Sequence, residues 1–326
     1  MKAFHFSLLR ILLVVAVAAL AVSAQDKKEP SSGEVEAVKK INAAKDLPAK
    51  FKAAEEFMKK NSKSSLRPKV ADYLVGQIGD VTDGAQRQAA IETYLKMFSS
   101  DSEKDLILPA QVDALALVDK VDDAFKLAPK AFEKSPDNVI LLTQLALKGG
   151  AQAAQSQTQN AELTKQYGTK AIALIEADKK PAGATDDFWN NFKKQWVPEL
   201  YQALGFVAFA TKDDAETKVK FQKVIDLNPT NPRSYYVLGN IADNEYKHAA
   251  VYYNGASGAA KAELLKKAEV IMDQAIDYFA HVVGLTEGKT EFKPVHDQVL
   301  PVLQEYYKYR KGSLTGLDQL IAKYKK

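Results

Sequence analysis

The chain has 326 residues, of which 46% are hydrophobic and 26% charged, with 45 Lys and Arg against 41 Asp and Glu. That is enough apolar material for a large core, without the bias of a disordered chain. Charge this near balance gives no basis for a nucleic-acid partner, and the absence of cysteine removes disulfides, thiol catalysis and cysteine metal sites.

The N-terminus has three parts. Lys2 and Arg10 make it basic, residues 11–21 are an unbroken apolar run, and Val22-Ser23-Ala24 brings short side chains before Gln25. This is the layout of a secretory signal peptide spanning residues 1–24, so an exported, periplasmic or extracellular protein is expected. Arg10 cuts the run short of the roughly 20 apolar residues that a membrane span needs. Removal of residues 1–24 leaves 43 basic against 41 acidic side chains. Residues 25–33 are polar and predict a linker.

Residues 34–326 predict helices throughout. Ala, Leu, Lys, Glu and Gln dominate, and short breaks divide the chain into about fourteen helices in pairs. Ala53 with Phe57, Ala90 with Tyr94, and Ala124, Ala128 and Ala131 before Pro136 are second-helix faces. Phe57 to Tyr94 is 37 residues and Tyr94 to Ala128 is 34. Ala171 near Tyr167 marks a further second helix, followed by a loop at residues 181–185. Phe188, Trp189, Phe192 and Trp196 then place three aromatics on one helical face, as core or as an exposed binding patch.

The clearest unit covers residues 198–231. Tyr201, Leu204 and Gly205 lie on one helix and Phe221 and Val224 on the next, closed by Asn228-Pro229. Large side chains at these spacings pack two antiparallel helices, and Gly205 allows close approach. A second unit, residues 232–289, repeats Tyr235, Leu238, Gly239 and Ala242, then Ala275, Phe279 and Val282 about 24 residues late. Lengthening of both helices around Asn254-Gly255-Ala256-Ser257-Gly258 absorbs the excess.

These residues resemble the tetratricopeptide repeat, a 34-residue helix pair carrying an aromatic, then Leu-Gly, then a second-helix aromatic, then Pro. The match departs at Thr217 and Val224, where that family has small Ala, and at Glu287, where a closing proline is expected. The resemblance implies an all-α fold, a right-handed α-solenoid of about seven antiparallel helix pairs, with residues 294–326 as capping helices. Tyr306, Tyr307 and Tyr309 are expected to anchor that cap with their hydroxyls toward solvent.

Motifs for chemistry are incomplete. Gly284 to Gly288-Lys289-Thr290 has three residues between its glycines where a phosphate loop needs four, and predicts a helix stop with Gly284 or Gly288 as cap. Gly255-Ala256-Ser257-Gly258 lacks the second glycine of a nucleophile elbow, since Ala259 stands there, and predicts a turn. His248, His281 and His296 have no metal-binding spacing. No cofactor, no metal and no catalysis are expected.

The resemblance implies a protein-interaction scaffold that holds a protein or peptide partner on the concave wall built by first helices. The corresponding residues are Glu199, Gln202, Phe206 and Phe209, then Arg233, Tyr236, Asn240, Asp243 and Asn244. Arg233, Tyr236, Asn240 and Asp243 form one continuous polar stripe in this reading, free of the core. Two alternatives stay open. One is a small-molecule carrier using an enclosed pocket around Trp189; the other is a helical envelope enzyme acting on polysaccharide through a pair of carboxylates.

Overall fold

The computed structural model describes residues 29–325, so the expected signal peptide and the start of the linker lie outside the described residues. The described chain is all-helical, with no strand among the described residues. In the first half it forms α1 (Ser32–Ala43), α2 (Leu47–Lys60), α3 (Arg67–Gly79), α4 (Gly84–Met97), α5 (Asp101–Leu117), α6 (Val121–Lys134) and α7 (Val139–Ala153). The second half adds α8 (Ala161–Glu176), α9 (Asp186–Ala210), α10 (Asp214–Leu227), α11 (Pro232–Gly255), α12 (Gly258–Thr286), α13 (Lys293–Lys311) and α14 (Leu317–Lys323). A single 3-10 turn, Thr290–Phe292, precedes α13. None of the described helices is long and apolar enough to cross a membrane.

Helix boundaries follow local chemistry. Ser31 and Glu34 form a reciprocal capping box, so α1 opens at Ser32, inside the span expected to be linker. Asp46 accepts from the Ala49 amide at 2.9 Å, and Asp83 from the Gln86 amide at 2.8 Å. Proline does not always mark a break. Pro109, Pro129, Pro198 and Pro301 all lie inside helices. Each removes one main-chain hydrogen bond, and buried neighbours such as Leu108, Ala128 and Leu200 hold the helix on through it.

The helices belong to two compact units. The first comprises the described residues up to Lys148 together with Thr169–Lys193. Its core collects Phe57, Leu74, Ile78, Tyr94 and Ile107, all essentially inaccessible. The aromatic positions 57 and 94 are therefore both interior. Two arginines tie this unit's helices together. Arg67 on α3 donates to Glu103 on α5 at 2.5 Å and to the Met97 carbonyl at the end of α4 at 3.1 Å. Burial pushes the Glu103 carboxyl up, but the bonds from Arg67 and Ser100 outweigh it and hold the group below its usual range. Arg87 on α4 is 1% exposed. It donates to the carbonyls of Gly79 at 2.9 Å and Val81 at 2.7 Å and pairs with Asp113 on α5. Burial lowers its guanidinium to about 10, which leaves it charged at neutral pH.

The second unit comprises Gly149–Gly168 and the residues from Lys194 onward. On α9, a Cβ at Gly205 would lie 2.9 Å from the Phe221 ring on α10. At Gly239 on α11, 34 residues later, it would lie 2.6 Å from the Phe279 ring on α12. The absent side chain is what lets each ring lie against the opposing helix. Thr217 and Val224 are fully buried, so the larger side chains at these alanine positions are accommodated within the core. The 24 extra residues lengthen α11 to 24 and α12 to 29 residues, against 14 for α10. The turn between them is Ala256-Ser257, as the sequence predicts, with Gly258 at φ +62° opening α12.

Candidate functional site

The stripe on α11 is the first candidate, and it divides in two. Residues at i, i+7 and i+11 share one helical face, which places Arg233, Asn240 and Asn244 together. Tyr236 and Asp243 form a neighbouring row that is already engaged. The Tyr236 hydroxyl accepts from Gln298 on α13 at 3.1 Å, and its ring packs on the core shared by α11, α12 and α13. Asp243 accepts from the Tyr306 hydroxyl and from Lys247 at 2.8 Å. The stripe is therefore not continuous, because α13 lies against one of its rows and uses those side chains for docking.

The same contacts correct the expectation for the capping tyrosines. Tyr306 is buried, and its hydroxyl binds Asp243 instead of reaching solvent. Burial and that bond push the hydroxyl well above its ordinary value. The Tyr307 hydroxyl donates to the Thr315 carbonyl at 3.2 Å. Tyr309 alone of the three is open, at 76% exposure.

On α9 the expected residues also separate by role. Phe206 meets Phe221 edge-on at 5.3 Å between ring centroids, so it serves the helix pair. Phe209 is exposed. Gln202 donates to Glu199 at 3.3 Å and accepts from Asn231 at 2.6 Å. Asn231 caps α11 by accepting from the Arg233 amide at 3.0 Å. Burial holds the Glu199 carboxyl above its usual range, against the pull of Arg233. What remains is a polar surface made of Glu199 and Gln202 from α9, and Arg233, Asn240 and Asn244 from α11. Arg233 and Asn244 are exposed and Asn240 is half-buried. These groups offer a forked cation, amide donors and acceptors, and a carboxyl with a raised proton affinity. Asn231, Gln298 and Tyr306 were not foreseen as part of this region. They come from a loop and from the expected cap, 62 or more residues from their α11 partners in the case of α13, and no periodic signal connects them.

The aromatic group around Trp189 is interior. Trp189 is 2% exposed, stacks on Phe192 at 5.5 Å, and donates from its indole nitrogen to Asp178 at 2.7 Å. Phe192 and Trp196 are likewise buried. Phe188, the fourth of the group, is half-buried and lies 6.0 Å from Phe192 between ring centroids.

The remaining motifs are structural. Gly288, at φ +73°, ends α12 in the left-handed conformation, whereas Gly284 lies within the helix. His281 is stacked between Tyr235 at 4.2 Å and Tyr324 at 3.5 Å. No grouping of three His, Asp or Glu side chains suited to a metal ion occurs among the described residues.

Two clefts stand out. One of about 530 Å³ lies between α10, α11 and α12, beside the Lys218–Glu245 pair. The other, about 950 Å³, is an open groove between α2 and α4 with Phe51, Met58 and Met97 along its floor and Lys52 and Lys96 at its rim. No family model and no curated protein matches the chain.

Proposed function

We propose that the chain is an exported, non-catalytic scaffold whose helix pairs stack as a right-handed solenoid of about seven, and which holds a protein partner along the polar surface of α9 and α11. The observation that carries this is a division of labour on α11. Tyr235, Leu238, Gly239 and Ala242 bury against neighbouring helices, while on another face Arg233 and Asn244 are exposed and Asn240 is half-buried. Polar side chains of that kind are available to bind an extended backbone without weakening the fold. The recurrence of a glycine against a second-helix aromatic supports the solenoid. The signal layout of Lys2, the apolar run and Ala24 supports export.

The carrier reading is less favoured because Trp189 stacks directly on Phe192 at 5.5 Å and donates to Asp178, so these side chains are already engaged with one another. For a polysaccharide hydrolase the raised carboxyl of Glu199 would need a second carboxylate across a cleft; its contacts are Gln202 and Arg233.

Tyr236 is unsuitable as a probe, since its loss would also unpack α13. The test uses Arg233→Ala with Asn240→Ala and Asn244→Ala, immobilised beside the parent chain and exposed to an envelope extract. Proteins retained by the parent and lost from the triple variant, at unchanged melting temperature, are the expected result. Identical retention by a stably folded variant overturns the assignment of this face. Removal of two or three such contacts should weaken a captured partner by roughly 1–3 kcal/mol.

A further inference from the structure

The outer end of the α11–α12 hairpin has a chemistry that the fold does not use. Between Ala249 and Ala268 no residue is buried. Apart from its pairing with α12, α11 is joined to other helices toward this end by Glu245 to Lys218 and Tyr246 to Tyr306. On α12, Arg310 reaches only Glu269 and Asp273. From Ala249 to Gly255, about 9 Å at 1.5 Å per residue, the helix therefore has α12 as its neighbour, as where Lys261 lies over the Tyr253 ring.

This end carries Val251 at 70% and Tyr252 at 69% exposure on α11, and Leu265 at 42% on α12. Ala259 and Ala260 are open at the start of α12. The unburied segment holds Lys261, Lys266 and Lys267 against Glu263, which pairs with Lys266 at 3.5 Å with both side chains open to solvent. The segment therefore keeps a net positive charge in a chain otherwise close to balance. Lys261 lies over the Tyr253 ring at 4.8 Å.

A narrow convex tip is a poor match to a folded protein partner, which buries about 800 Å² on each side. It suits a lipid surface. Apolar side chains on amphipathic helices enter the headgroup–acyl boundary by about 5–10 Å, tyrosine favours that depth, and lysines are drawn to anionic headgroups. We infer that the α11–α12 tip docks the protein on an anionic membrane surface, with Val251 and Tyr252 entering the boundary and Lys261, Lys266 and Lys267 meeting the headgroups. This docking is peripheral and is independent of the polar surface on α9 and α11.

The test is vesicle co-sedimentation of the chain from Gln25 onward, which keeps every described helix and lacks the N-terminal apolar run. Vesicles of phosphatidylglycerol and phosphatidylcholine in equal parts are compared with phosphatidylcholine alone. The protein sediments with the anionic vesicles and is released by high salt. Val251→Asp with Tyr252→Asp abolishes sedimentation. Lys266→Glu with Lys267→Glu reduces partitioning at least tenfold, since one lysine at the surface is worth about fivefold. A third variant replaces residues 251–266 by a turn of about four Gly and Ser residues, and it too fails to sediment. The two substitution variants keep their helical circular dichroism and melting temperature because the altered positions are not in the core. The shortened variant keeps its melting temperature while losing the helical signal of the residues removed. No sedimentation of the parent, equal sedimentation with phosphatidylcholine, or undiminished binding by the variants overturns the proposal.

Discussion

In the helix pair at residues 198–231 the ring of Phe221 lies on Gly205, and in the pair at residues 232–289 the ring of Phe279 lies on Gly239. The first pair closes within 14 residues of α10, whereas the second needs 29 residues of α12. The contact is thus indifferent to the length of the helices that carry it. What length adds in the second pair lies beyond the lock. It includes the Asp243 and Tyr246 contacts with Tyr306 on α13 and an outer end free of any core.

The comparison breaks most visibly at the rings. Phe221→Ala and Phe279→Ala should each cost about 3–5 kcal/mol, measured as a shift in the denaturant midpoint. Both rings are at most 3% exposed, so the two losses should agree within about 1 kcal/mol if the lock is the same. A much smaller loss at Phe279 would mean that the long pair is held mainly by its other contacts.

A smaller effect is expected from the glycines. Gly205→Ala and Gly239→Ala place a methyl group against the opposing ring and should cost about 1–3 kcal/mol each. Gly239→Ala should be the worse, because the approach is 2.6 Å against 2.9 Å. Chemical denaturation of the two variants side by side tests the order.

The smallest effect concerns the carboxyls on the two first helices. Asp243 in the long pair is bound by Tyr306 and Lys247, while Glu199 in the short pair is held above its usual range by burial. A carboxyl whose folded value is raised contributes stability at low pH, and that contribution fades as pH rises through the folded value. Its charged form is therefore the unfavourable one at neutral pH. Glu199→Gln should raise the melting temperature by a few degrees at most at pH 7. Below the usual carboxylate range the gain should vanish. Melting curves at the two pH values decide it.

The helical class, the 34-residue recurrence of Leu-Gly and the close approach at Gly205 were legible from spacing, as was the inter-helix turn before Gly258. The contact of Gly239 with Phe279 was not, because that ring follows about 24 residues out of phase. The candidate surface was half legible. Arg233, Asn240 and Asn244 follow from helical periodicity, but the engagement of Tyr236 and Asp243 depends on where α13 docks, and that is a tertiary fact. Arg87 carries no sequence mark either. It reads as an ordinary surface charge until α5 brings Asp113 to it. The continuation of α9 through Pro198 likewise requires buried neighbours that no local rule supplies.

Those two arginines bear on how the first unit comes apart. A stack of helix pairs that touch only their neighbours can fray from its end, one pair at a time, each step costing a fraction of the total. Arg67 and Arg87 join α3, α4 and α5 through buried or half-buried ionic bonds. Peeling α5 away would strand a cation inside an apolar core, a penalty of several kcal/mol. Hydrogen exchange in these three helices should accordingly proceed as a single cooperative block, with nearly uniform protection, while α1 opens ahead of it.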